Sequence, residues 1–158
     1  MSRSLLVRNL VPGRAVALRP FKHILEHLLR DLLHKEFREL AFYLVDTPEI
    51  TRINEAFLRH KGSTDVITFD YSGPGGKVLE GEIFICLAEA LVQSRKFRVT
   101  WQEELVRYAV HGTLHLCGHD DQHAAARAKM KRMENRLLAQ LAARFKLQDL
   151  IRGTGPRR

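Results

Sequence analysis

Four of the eight histidines fall within thirteen residues, His111-Gly112-Thr113-Leu114-His115-Leu116-Cys117-Gly118-His119-Asp120-Asp121-Gln122-His123. His111 and His115 are four apart, so on a helix they project from one face, about 40° apart. Two imidazoles so placed can hold one metal ion, each nitrogen at about 2.0–2.1 Å. Gly118 supplies a helix C-cap, where positive φ costs glycine little. The chain can then turn back and offer Asp120, Asp121 or His123 as a third ligand. Three protein ligands and a water make the open sphere of a catalytic site, whereas four close it. His23 and His27 share the spacing, but no glycine turn with acidic residues behind it follows them. That earlier pair is therefore not read as a site. A peptidase motif His-Glu-x-x-His would need a glutamate where Gly112 stands, so protease chemistry lacks its base. Cys117, two residues past His115, points away from the pair on a helix and reads as a small buried hydrophobe rather than a nucleophile.

The elements that must position this cluster follow from periodicity. Leu5 to Val7 and Leu40 to Val45 read as strands, the second ending at the turn-like Asp46-Thr47-Pro48. Between them Pro20 to Leu33 reads as one amphipathic helix, with Phe21, Ile24, Leu28 and Leu32 at steps of three and four. Thr47 opens a short second helix through Ile53, Asn54 and Phe57. Asp65 to Tyr71 and Glu82 to Cys86 are β-type runs, and the glycine-rich piece between them reads as a loop. Leu87 to Phe97, Trp101 to Leu116 and Ala124 to Phe145 read as helices. In the last of these, Met130, Met133, Leu137, Leu141 and Phe145 form an apolar stripe, with Arg127, Lys131, Arg132 and Arg136 mostly opposite. The order β-α-β-α-β-β-α-α-α predicts an α/β (α+β) fold, a small mixed β-sheet of about four strands packed with about five helices.

The chain has 158 residues, of which 45% are hydrophobic. That suits a single domain over residues 1–150, with 151–158 as a basic, disordered tail. No apolar run reaches the roughly 18 residues of a membrane span. The N-terminal segment lacks a signal peptide's apolar stretch and cleavage site. Cys86 and Cys117 form no disulfide framework. A cytosolic protein is expected. The net charge of +8 is uneven, since residues 1–121 carry 16 basic and 16 acidic side chains and residues 122–158 carry 10 and 2. Such a basic end attracts polyanions through counterion release.

The histidine cluster resembles the YbeY endoribonucleases, a family of ribosomal RNA maturation factors. The family's signature, His-Gly-x-Leu-His-Leu-x-Gly-(aromatic)-Asp-His, is similar to HGTLHLCGHDD at His111 to Asp121. Asn54, Phe57 and Thr64 to Tyr71 resemble a second family block, Gly81-Glu82-Ile83-Phe84-Ile85 a third, and Glu103-Glu104-Leu105 fits the lead into the metal helix. The likeness spans about residues 40–125. It implies a compact α/β fold holding one zinc-type ion per chain, with nickel or another divalent ion as the alternative. It also implies a bacterial cytoplasmic role in small-subunit (16S) ribosomal RNA maturation and ribosome quality control. A small-subunit ribosomal protein or an assembly GTPase is then a candidate partner. The family's third histidine falls on Asp121, a competent oxygen ligand, with His119 and His123 as alternatives. The family's arginine falls one residue late, at Arg59, after Leu58.

The expected chemistry is metal-dependent hydrolysis of a phosphodiester in single-stranded RNA. His111 and His115 would carry the metal, and Arg59 would neutralise charge developing on phosphorus, with His60 as the alternative, acting instead as a proton donor. Arg127, Lys131 and Arg132 of the last helix would hold the strand by its backbone. Glu82 and Asp65 are candidates for a general base, and each could equally be structural. The competing readings are a non-catalytic, metal-stabilised RNA-binding assembly factor and a metallohydrolase of another substrate.

Overall fold

The computed structural model describes residues 3–73 and 76–150; the basic segment 151–158, expected as a tail, lies outside the described residues. The elements are β1 (Ser4–Asn9), α1 (Leu18–His27), β2 (Glu36–Val45), α2 (Thr47–Phe57), β3 (Val66–Asp70), β4 (Val78–Cys86), α3 (Leu87–Phe97), α4 (Trp101–Leu116) and α5 (Ala124–Arg144). The four strands form one mixed sheet in the order β1-β2-β4-β3. β1, β2 and β4 are parallel and β3 runs antiparallel to β4. The two parallel pairs need crossovers. α1 supplies the first, while α2 with the β3–β4 hairpin brings β4 beside β2.

Alternation along the strands sends Leu5, Leu40, Phe42, Leu44, Ile83 and Ile85 to one face, where all are buried. Helices α1, α4 and α5 contribute Phe21, Leu105, Leu114 and Leu137 to the same cluster. On the other face α2 covers one end of the sheet, with Ile50 and Ile53 against Val45, Ile67 and Cys86.

Three boundaries differ from the sequence-based expectation. The expected helix Pro20–Leu33 is α-helical only to His27 and then widens into a π-type turn over Leu28–Leu32. Leu33 N donates to Leu28 O at 2.9 Å, the i→i+5 bond of a π turn, and Leu28 and Leu29 are both buried. β2 begins four residues early, at Glu36, through a register irregularity between Phe37 and Leu40. β4 begins at Val78, inside the stretch expected as loop. Gly81 stands inside that strand, where a Cβ would lie 2.3 Å from Phe69 O on the neighbouring strand, so the close pairing requires glycine.

The helix starts carry their caps in sequence: Asp46 accepts from Glu49 N at 3.0 Å and Thr100 from Glu103 N at 3.1 Å. Helix α4 lies directly on β3 and β4. At Gly112 a Cβ would meet Ile83 Cγ2 at 2.8 Å, Val66 Cγ1 at 3.2 Å and Thr68 Cγ2 at 3.3 Å. These are branched side chains held in the sheet, so they have little room to give. Gly112→Val is expected to lower unfolding stability by about 1–3 kcal/mol through overpacking, read as a reduced urea midpoint at unchanged m-value.

Candidate metal centre

Helix α4 presents His111 and His115 one turn apart on a half-buried face. Their Nε2 atoms are 3.0 Å apart and the rings meet edge to face at 4.6 Å. The helix stops immediately after them in a Schellman arrangement: Gly118 has φ +97°, its N donates to His115 O at 3.0 Å, and His119 N donates to Leu114 O at 3.0 Å. The reversal brings Asp121 back over the pair. Its Oδ2 lies 3.5 Å from His111 Nε2 and 3.6 Å from His115 Nε2.

These three atoms form a donor set within 4.8 Å of one another, and His111, His115 and Asp121 are the one such group among the described residues. Ligands about 2.0–2.1 Å from a tetrahedral ion stand about 3.3 Å apart. The observed separations of 3.0, 3.5 and 3.6 Å bracket that value. Two imidazole nitrogens and one carboxylate oxygen suit a zinc-type ion and leave room for a fourth, non-protein ligand.

The alternatives for the third position go elsewhere. His123 caps α5, its Nδ1 accepting from Ala126 N at 3.3 Å, and His119 lines a separate hollow with Asp120 and Lys129. Asp120 Oδ1 accepts from Gln122 N at 3.4 Å within the turn. In the earlier pair, His27 Nδ1 meets Asp31 Oδ2 at 2.7 Å as an ordinary i,i+4 contact, with no third donor joining. Cys117 packs against the core, and burial pushes its thiol pKa up, away from reactivity.

Behind the pair lies a second layer that the sequence-based expectation does not contain. His111 Nδ1 is hydrogen-bonded to the Glu134 carboxylate, which α5 carries and which is 7% exposed. The other carboxylate oxygen accepts from Arg107 at 3.2 Å, and Arg107 Nε stands 3.8 Å from Glu104. Burial opposes a charged His111 ring, but Glu134, Asp65 and Asp121 outweigh it and raise the pKa. Burial likewise raises Glu104. A signal for Glu134 is present in the sequence. It is the lone acidic residue of α5 and sits on the apolar stripe, between Met130 and Leu137.

A groove of about 250 Å³ opens beside His111 between α4 and α5, with Asp65, Tyr108 and Met130 in its walls and Arg127 and Lys131 among its lining. Asp65 Oδ1 accepts from Val66 N at 2.8 Å, so this carboxylate is anchored as well as adjacent. Other residues singled out in the sequence do not line this groove. Arg132 is exposed along α5. Arg59 and His60 are exposed on the turn after α2, where Leu58 ends the helix and Arg59 takes φ +58°. Glu82 faces the opposite side of the sheet and accepts from Tyr71 Oη at 2.9 Å.

The family model described as Endoribonuclease YbeY matches residues 14–142. The Endoribonuclease YbeY of Salinibacter ruber is 31% identical over 134 residues, covering 80% of this chain and 85% of that protein. The one from Bacteroides fragilis is 38% identical over 105 residues, covering 66% and 74%. The one from Chlorobium phaeobacteroides is 45% identical over 92 residues, covering 58% and 65%. The solution structure of a Thermotoga maritima protein superposes with a TM-score of 0.58 over 98% of this chain and 100% of that one, at 22% identity. That likeness concerns the fold alone.

Zinc titration of variants tests the donor set. Asp121→Ala is expected to weaken Zn²⁺ binding by more than the roughly 10–100-fold typical of losing an outer-layer partner, while His119→Ala and His123→Ala bind as wild type. Unchanged affinity in Asp121→Ala would move the third ligand to another residue.

Proposed function

The chain belongs to the endoribonuclease YbeY family, and on that premise we propose that it is a metal-dependent, single-strand-specific endoribonuclease acting in small-subunit ribosomal RNA maturation and ribosome quality control in the cytoplasm. The observation that carries this reading is the convergence of His111 Nε2, His115 Nε2 and Asp121 Oδ2 at the head of a groove that includes Arg127 and Lys131. A non-catalytic assembly factor is not favoured, because three donors without a fourth protein ligand suit chemistry better than a closed structural site. No helix among the described residues is long and apolar enough to cross a membrane.

His111, His115 and Asp121 would hold the ion, with zinc preferred and nickel or another divalent metal compatible with the same donors. Such an ion supplies Lewis-acid activation of a phosphoryl oxygen or of water. The remaining work falls to the chain's own side chains. Arg127 and Lys131 bind backbone phosphates along the groove, the arginine in two-pronged fashion. Asp65, which lines the same groove as His111 and is held by Val66 N, is the candidate proton acceptor in this reading. Arg59 and His60 meet the strand outside the groove, and Arg132 adds to the basic field of α5. A small-subunit ribosomal protein or an assembly GTPase would direct the enzyme to its RNA.

Cleavage of matched single- and double-stranded RNA by wild type and His115→Ala, prepared identically and each with its metal content determined, tests the activity. Cutting of single strands by metal-loaded wild type alone is expected. Equal cutting by both proteins, or by neither despite bound metal, would sink the nuclease reading. RNA affinity against salt tests the groove. Arg127→Ala/Lys131→Ala removes two phosphate contacts and should flatten the slope of log K against log salt by about 1.4, as measured by fluorescence anisotropy.

A further inference from the structure

We propose that Glu134 is a positioning residue: it fixes His111 in its Nδ1-protonated tautomer and so keeps Nε2 bare and aimed at the space shared with His115 and Asp121. The inference rests on the metal-site reading above. A neutral imidazole carries one N–H, and the partner of one ring nitrogen decides which atom holds it. An ionised carboxylate only accepts hydrogen bonds. With Glu134 Oε2 against Nδ1, the ring must donate from Nδ1 and leave its lone pair on Nε2.

Two contacts hold that carboxylate in place. Arg107, permanently charged, donates to its other oxygen at 3.2 Å. Arg107 is itself steadied by Glu104 one turn earlier on α4. The other carboxylates acting on His111, Asp65 and Asp121, are not hydrogen-bonded to Nδ1. Glu134 is thus the carboxylate at Nδ1, while His115 Nε2 at 3.0 Å and Asp121 Oδ2 at 3.5 Å stand at the opposite nitrogen, where the metal would bind. Glu134 also links two elements, because the segment that starts with Asp121 continues into α5, which returns Glu134 to the back of the same histidine.

Glutamine distinguishes this role from simple helix packing. It keeps the size of Glu134 but has one acceptor, which Arg107 claims, so its amide N–H₂ turns towards Nδ1 and the ring proton moves to Nε2. Long-range ¹⁵N–¹H spectra of the metal-free protein at about pH 9, above the imidazole range, report which ring nitrogen is protonated. Competition with a chromophoric chelator reports Zn²⁺ affinity. Wild type should show Nδ1–H. Glu134→Gln should show Nε2–H and bind Zn²⁺ about 10–100-fold more weakly. Arg107→Met/Glu134→Gln frees the amide oxygen and should recover the Nδ1–H tautomer with most of the affinity, a rescue that a merely structural glutamate would not give. Wild type with Nε2–H, Glu134→Gln with wild-type tautomer or affinity, or a double variant no better than Glu134→Gln overturns the proposal. Wild type that binds no Zn²⁺ sinks the metal site itself, whereas equal binding by wild type and Glu134→Gln sinks only the role of Glu134.

Discussion

Helix α4 lies so close to β3 and β4 that position 112 has no room for a side chain, and the rest of the centre follows from that contact. The close approach fixes the rotation of α4 about its own axis, because only the Gly112 face fits against Ile83, Val66 and Thr68. With Gly112 turned to the sheet, the neighbouring His111 and the later His115 are half-buried at the edge of the contact rather than in the core or in open solvent. The same constraint accounts for the missing peptidase glutamate: a Glu at 112 would be driven into the sheet, far from any substrate.

Charge is organised around this geometry. α5 is strongly basic along its exposed length, yet its single acid is buried against α4. Burying a carboxylate without partners is costly, and here Arg107 and His111 supply them. The outcome is a helix whose outer surface is basic while its inner surface holds a carboxylate against the His111 ring. Arg127 and Lys131 stand where these two surfaces meet, in the groove beside His111.

Much of the local organisation is legible in the residues themselves. Helices α3 and α4 run as their periodicity predicts, and the four-strand mixed sheet with five helices follows from the element order. The limits lie where neighbours in space overrule neighbours in sequence. Val78 to Gly81 reads as loop because glycine usually marks one, but Gly81 is glycine to admit Phe69 O from the adjacent strand. The π-type turn at Leu28–Leu32 leaves no mark in the apolar periodicity, which continues through it.

The centre divides along the same line. By itself the sequence determined the His111–His115 pair, the glycine that ends their helix and the basic character of the last helix. Each of these depends on spacing along one segment, and helical geometry converts such spacing directly into position. Only the tertiary structure decided that Asp121 rather than His119 or His123 faces the pair, that Arg59 and His60 stand outside the groove, and that Glu134 and Arg107 stand behind His111. Those relations depend on how a turn closes and how α5 packs back on α4. The contacts from α5 join residues more than twenty positions apart, where no local period carries the information.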